Sequence, residues 1–470
     1  MVNPGPDDAL HVQGFAEVLE ILCFWRRADT SSCDLLLAVF LLKLTEVPKN
    51  GVIMPPWLHD ITQSTSAAPK LYAWTPENLP NCSADGESQS ATPKDLQKRI
   101  FILGIGNLGR FYANSLAKLG QEVPVTLVLH RKSLLEHWVS EPGIELTRYD
   151  VTERISSFNV EWWTEQAPAH GPVREVCDGA KIANLLVATK APDALPQVDR
   201  LRRYLDGNST VGFVQNGMNK LWPPYGAIYS EHRFPPRQHP NWLVCVTTHG
   251  VYSLGAFKSV HAAPADIAMG LVLPNPDTAG AADYLTEQIL KAPELEARKV
   301  PRNALWVLQL EKLIINSLIN PLTAVIRCMN GHLFDQPAPG LKKLMDMLVD
   351  EASQILQALA QHSSSQDILT GVDSAPDADL SKEALVERFS AAQLNAMLQR
   401  VGEKVKENRS SMCQDVMAGK QTEVREFNGW LVQMAEFLGL EAPNHKKLCE
   451  LVEAGVVGEQ NLLEAYFGKK

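Results

Sequence analysis

An α/β domain built on a parallel sheet, followed by an all-α domain, is the fold class that three observations predict. A β-prone run at 99–103 passes directly into Gly104-Ile105-Gly106-Asn107-Leu108-Gly109 and then into an amphipathic stretch led by Phe111, Leu116 and Leu119. From 98 to 299 apolar strand-like runs alternate with helical patterns, which implies parallel strands joined by helices. From Pro301 the pattern is helical to the end of the chain. These shifts divide the 470 residues into an N-terminal extension at 1–97, partly irregular, a Rossmann-type domain at 98–299 and a helical domain at 300–470.

The glycine stretch comes first because strand, G-x-G-x-x-G turn and helix in that order fit a dinucleotide. Gly104 permits the tight turn, Gly106 lets a pyrophosphate approach the backbone, and Gly109 lets the helix pack on the strand. Free N–H groups of the helix start then face the phosphates. A second strand at 123–129 ends in His130-Arg131-Lys132. A site for NAD ordinarily carries a carboxylate here to accept from the ribose 2′-hydroxyl. Two cations suit a 2′-phosphate, although a solvated strand end is the alternative. Arg131 and Lys132 therefore predict NADP(H) over NAD(H).

The extension before 98 is the least informative part. Apolar stretches at 15–25 and 35–44 suggest short helices, and 81–92 reads as disordered linker. Either the early stretches dock on the body or Met54 is the true start. Trp57, Leu71, Tyr72 and Trp74 are too apolar for a free tail and are expected to pack on the body. After the second strand, 144–146 and 160–162 suggest a hairpin-like excursion. Strands at 181–189, 210–214 and 243–248 end in Lys190, Gln215-Asn216-Gly217 and Thr248-His249, and a helix is expected at 195–205. Ligands bind at such strand ends in open α/β sheets. The proline-bearing stretch at 222–242 is expected to be irregular, and 363–379 a mobile loop.

Composition excludes several classes. The net charge of −10 leaves no broad basic field for nucleic acid. The 8 cysteines are scattered, with no C-x-x-C pair, which suits a reduced interior. The longest apolar run is too short to span a bilayer, so no membrane is expected. A cytoplasmic location follows, with a mitochondrial one left open.

Two constellations carry chemistry. In the apolar helix at 303–319, Lys312, Asn316 and Asn320 recur at i, i+4 and i+8 on one stripe, and Pro321 is expected to end the helix. A lysine among so many apolar residues needs partners or a ligand. The second is 408–423, where Ser411 and Asp415 lie one turn apart and Glu423 stands at the start of a further helix. Read alone, Glu423 is more readily a helix cap than a catalytic group.

Six ordered pieces bring these together: Gly104-Ile-Gly-Asn-Leu-Gly109, Ala188-Thr-Lys190, Gln215-Asn-Gly-Met218, Glu311-Lys-Leu-Ile-Ile-Asn316, Ile319-Asn-Pro-Leu-Thr323, and Ser410-Ser-Met-Cys-Gln-Asp415 with Thr422-Glu423. The set resembles the ketopantoate reductase (2-dehydropantoate 2-reductase) family, which reduces 2-dehydropantoate to pantoate with NADPH on the route to pantothenate. The resemblance implies that Lys312 donates the proton, that Asn316, Asn320, Asn330 and Ser411 contact substrate, that Lys190 and Asn216 line the cleft, and that Glu423 orients ligand hydroxyls. The extension and the segment His261-Ala-Ala-Pro-Ala-Asp266 depart from the family pattern and bear on the substrate more than on the chemistry. Three functions remain in play: reduction of 2-dehydropantoate, reduction of another carbonyl acid, and dinucleotide binding without catalysis. The partners expected are a small 2-oxo acid and, as an assembly the sequence allows, a second copy in a homodimer.

Overall fold

The structure is a computed structural model that describes residues 54–80, 93–371, 373–375 and 377–468. The expected helices at 15–25 and 35–44 and the linker at 81–92 lie outside the described residues. The chain divides into two units, Met1–Ile53 and Met54–Lys470.

Thirteen strands are present among the described residues: β1 Tyr72–Trp74, β2 Ile100–Leu103, β3 Val125–Leu129, β4 Ile144–Arg148, β5 Val151–Ile155, β6 Asn159–Thr164, β7 Asn184–Val187, β8 Thr210–Phe213, β9 Asn241–Thr247, β10 Gly250–Gly255, β11 Lys258–Ala263, β12 Ile267–Leu273 and β13 Ala297–Lys299. Nine form one sheet in the order β1-β6-β3-β2-β7-β8-β9-β12-β13. From β6 to β9 every neighbour pair is parallel. Antiparallel pairs join β1 to β6 and β12 to β9, so the sheet is mixed. Its central strands are apolar on both faces: Ile100, Ile102, Leu127, Leu186 and Val211 are fully buried. Helices cover both sides, which is why these strands do not alternate. The chain passes from β2 to β3 on one side and later to β7 on the other, and the crevice at this reversal lies beyond the carboxyl ends of the strands.

The extension's second part packs as its apolar residues require. Leu71 is fully buried, and β1 lines up against β6 through Tyr72, Ala73 and Trp74. The expected hairpin is not one. β6 joins the main sheet beside β3, while β4 pairs with β5 and with β11 in a separate sheet ordered β10-β11-β4-β5. The polar stretch between 146 and 160 is exposed β5, whose charged residues give no apolar period to read. The segment 222–242 contains helix Tyr225–Arg233; Pro223 and Pro224 precede it and Pro235 and Pro236 follow, where a missing N–H is tolerated. Residues 363–371 are also ordered, as turn Ser363–Ser365 and helix Gln366–Thr370, with Ile368 buried and Asp367 bonded to Arg302 at 2.7 Å.

Four helices position the site: α1 Asn107–Ala117, α2 Ala191–Arg200, α3 Arg302–Ile326 and α4 Val424–Phe437. The strands end at Lys299 and α3 begins at Arg302. Pro321 does not end α3; it lies inside it. Proline removes the N–H that would bond the carbonyl four residues back, that of Ser317. Asn428 of α4 replaces it, its Nδ2 donating to the Ser317 carbonyl at 2.8 Å. The helix stops instead at Arg327, which takes a left-handed φ of 65°. No helix among the described residues is long and apolar enough to cross a membrane.

This substitution of partners is testable by urea unfolding. Asn428→Ala leaves the Ser317 carbonyl unpaired and should cost about 1–3 kcal/mol. Pro321→Ala returns an N–H to that carbonyl, so the same change should cost less in its background. Equal costs in both backgrounds would refute the coupling.

Candidate active site

The glycine loop follows β2. Gly104 has φ +95°, and a Cβ there would stand 2.8 Å from the Thr189 nitrogen. A Cβ on Gly109 would stand 2.1 Å from the Gly104 oxygen. Both glycines are required by the fold. Gly106 differs: it is exposed at the start of α1, and its Cβ would meet nothing nearer than the Ala188 oxygen at 4.0 Å. The space at Gly106 is thus left for something other than protein. Ile105 is buried, Asn107 and Leu108 are partly exposed, and the Asn107 Oδ1 accepts from Ser259 at 3.3 Å.

Beside the loop lies a cation that the motif does not contain. Arg110 is buried, and its Nε donates to the Ile105 carbonyl at 3.1 Å. Its Nη1 donates to the carbonyls of Gly255 and Lys258 at 2.8 and 2.7 Å. Burial brings its pKa down to about 10. The guanidinium ties the β10–β11 hairpin to the loop. At the end of β3, Arg131 is exposed and its guanidinium makes no hydrogen bond or ion pair among the described residues. Lys132 is partly buried, 3.7 Å from Glu136 and 5.6 Å from the centroid of the Trp74 ring. Of the two cations expected on a 2′-phosphate, Arg131 is the uncommitted one.

Lys312 of α3 crosses from the helices to the sheet. Its Nζ donates to Asn216 Oδ1 at 2.8 Å and to the Thr247 carbonyl at the end of β9. Loss of hydration lowers its pKa to about 8, and the Glu423 carboxylate opposes that shift. One turn on, Asn316 Oδ1 accepts from Asn320 Nδ2 at 3.4 Å, and Asn316 Nδ2 is buried with no protein partner. Thr189 Oγ1, Gln215 Oε1 and Thr247 Oγ1, which belong to successive strand ends, are buried and unpaired as well. Buried polar atoms are nearly always bonded, so this row of orphans suits a polar ligand along the sheet edge.

Lys190 and Glu423 meet here from opposite halves. Lys190 Nζ lies 2.6 Å from Asp415 and 3.8 Å from Glu423. Glu423 is buried, which raises its pKa, and its Oε1 accepts from the Ala191 N–H at 3.0 Å. It caps a helix, yet not its own: the N–H belongs to the first turn of α2. Two further expected substrate contacts lie on elements other than these helices. Ser411 is exposed in the first turn of helix Ser411–Met417, while the buried neighbour Ser410 caps that helix and meets Thr323 Oγ1 at 2.7 Å. Asn330 lies in the turn beyond α3, donating to the Val405 carbonyl at 3.1 Å with its Oδ1 buried and unpaired.

The sequence reading missed Thr247, Arg110 and Gln309. Thr247 acts through its backbone carbonyl, which no side-chain pattern announces. A lone arginine on a buried helix face was the signal for Arg110. Gln309, three residues before Lys312 on an apolar helix, could have been found by the same argument that found Lys312.

Comparison with known proteins places the chain among relatives of one family. A family model described as ketopantoate reductase PanE/ApbA matches residues 100–273, and its C-terminal counterpart matches 304–456. The ketoisovalerate reductase of Beauveria bassiana is 38% identical over 446 residues, 86% of this chain and 96% of that protein. The ketoisovalerate reductase of Gibberella fujikuroi is 40% identical over 436 residues, 85% of this chain and 95% of that protein. A D-mandelate dehydrogenase solved with NADH and anilino(oxo)acetate shares the fold at a TM-score of 0.55 and 16% identity, over 76% of this chain and 98% of its own.

The two kinds of glycine separate in experiment. Gly106→Ala should leave the melting temperature within a few degrees and weaken dinucleotide binding about tenfold or more, measured by quenching of tryptophan fluorescence. Gly104→Ala should unfold at markedly lower temperature. Unchanged affinity in Gly106→Ala would remove the loop from the binding site.

Proposed function

We propose, because this chain belongs to the ketopantoate reductase family, that it reduces a branched 2-oxo acid to the 2-hydroxy acid with NADPH, ketoisovalerate being the favoured substrate. It is an oxidoreductase that uses a nicotinamide dinucleotide. The ketoisovalerate reading rests on the relatives at 38% and 40% identity, each aligned with more than four fifths of the chain. 2-Dehydropantoate, expected from the motifs, is the second reading and has support at the level of the family alone.

The observation that carries the chemistry is the two-point hold on Lys312. An ammonium has three N–H groups. Asn216 and Thr247 take two, which leaves one for a substrate oxygen. A reduced nicotinamide, when bound, would supply the hydride. As charge grows on the substrate oxygen, Lys312 stabilises it and gives up its proton. Asn320 occupies Asn316 Oδ1, so Asn316 presents Nδ2 as a donor to the substrate carboxylate. Glu423 keeps the lysine's charge favourable and holds α2 in place. Gly104, Ile105, Gly106, Asn107, Leu108 and Gly109 would hold the pyrophosphate, with Lys190 and Asn216 along the cleft and Arg131 on the 2′-phosphate.

NADPH oxidation with a panel of 2-oxo acids tests this reading. Lys312→Ala should lower kcat by two or more decades while NADPH still binds. In the unaltered protein kcat/KM for reduction should fall above about pH 8, since the donor needs its proton and loses it there. Near-normal turnover in Lys312→Ala, or no oxidation with any acid despite NADPH binding, would overturn the proposal. Arg131→Ala should weaken NADPH about tenfold and NADH little; equal losses would place the arginine elsewhere than on a 2′-phosphate.

A further inference from the structure

We infer that Gln309 is the positioning residue that aims the proton of Lys312, by clamping the turn that carries Asn216. The inference rests on the reading of Lys312 as proton donor and adds to it a residue that no motif contains.

Gln309 is buried in α3, and both ends of its amide are engaged. Trp222 Nε1 donates to its Oε1 at 2.7 Å, and its Nε2 donates to the Gly217 carbonyl at 2.7 Å. An indole N–H can only donate, so it dictates which end of the amide is oxygen. The other end must then be the donor, and Gly217 receives it. Trp222 thereby sets the direction of the whole chain of bonds.

The clamped turn has little freedom of its own. Gly217 sits at φ +86°, and a Cβ there would come within 3.0 Å of the Glu426 oxygen. Asn216 precedes it directly, and its Oδ1 accepts from Lys312 Nζ. Gln309 and Lys312 are three residues apart on one side of α3. One helix therefore grips the turn twice, Gln309 by its backbone and Lys312 by its side chain. Two of the three lysine N–H groups point at Asn216 and Thr247, and the direction of the third follows from theirs. If the turn drifts, so does the free proton.

The charged surroundings of Lys312 leave a readable consequence. Glu423 is the carboxylate that acts on it. Glu311, its neighbour on α3, is turned to Arg388 at 2.8 Å. Lys190 is engaged by Asp415 and Glu423. Between β9 and β10, His249 follows Thr248 and is bonded to His261 and to the Leu295 carbonyl. None of these contacts passes through Gln309. An acceptor favours the protonated amine, so loosening Asn216 should lower the pKa of Lys312 further.

The experiment compares Gln309→Met and Trp222→Phe with the unaltered protein. Gln309→Met keeps the volume and removes both bonds; Trp222→Phe removes only the indole donor, so the amide can turn. Four quantities are measured: kcat and KM with the best 2-oxo acid, NADPH affinity, and the titration of Lys312 by pH-dependent acylation mapped by mass spectrometry. We expect Gln309→Met to lose about tenfold or more in kcat with KM and NADPH affinity changed less than about threefold. The alkaline limb and the Lys312 titration should both move to lower pH, and Trp222→Phe should show the same shifts at smaller size. An unmoved Lys312 titration in both variants would overturn the inference, as would equal loss in kcat and in NADPH affinity. Lys312→Ala serves as the separate control: retained turnover there defeats the proton-donor reading, while the acylation titration still tests the Gln309 clamp without any turnover.

Discussion

Everything at the candidate site depends on where one ammonium group can go. Lys312 leaves a helix of apolar residues and cannot stay among them unpaired. It finds the end of β9 and the Asn216 turn, and in doing so fixes the distance between the helical half and the edge of the sheet. Its partners are neutral acceptors. The nearest carboxylate acts at longer range, so the amine keeps a pKa of about 8 and can release its proton near neutrality. An ion pair in direct contact would have held that proton more firmly.

Most of the frame was legible in the sequence because it is written in local terms. The glycine turn after an apolar strand needs six residues to be recognised, and the Lys312-Asn316-Asn320 stripe needs three. The strands buried on both faces are visible as unbroken apolar runs. What was not legible depends on residues far apart in the chain. β5 is an exposed strand without alternation, and its pairing with β4 and β4's with β11 make a second sheet that no period suggests. The same holds for Glu423. Local reading makes it the cap of the helix that follows it, whereas the bonded N–H lies 232 residues away.

Pro321 illustrates the limit of a sound local rule. A proline ends a helix unless something supplies the acceptor's missing partner. Asn428 does so, and the sequence of α3 holds no sign of it. Residue-level roles show a similar pattern. In the motif piece Ser410-Ser411 the two hydroxyls divide: Ser410 is spent on helix and neighbour, and Ser411 is exposed. Arg131 and Lys132 divide likewise, one committed to Trp74 and Glu136, the other uncommitted.

The borrowed bond in the middle of α3 also orders assembly. Asn428 stands 111 residues after Ser317. Until the C-terminal helices have been synthesised and docked, the carbonyl in the centre of α3 has only water to satisfy it. The turn of α3 that carries Lys312 and Asn316 precedes this carbonyl, and only the last turn of the helix lies beyond Pro321. The continuity of the helix that carries Lys312 thus depends on a side chain supplied from far along the polypeptide.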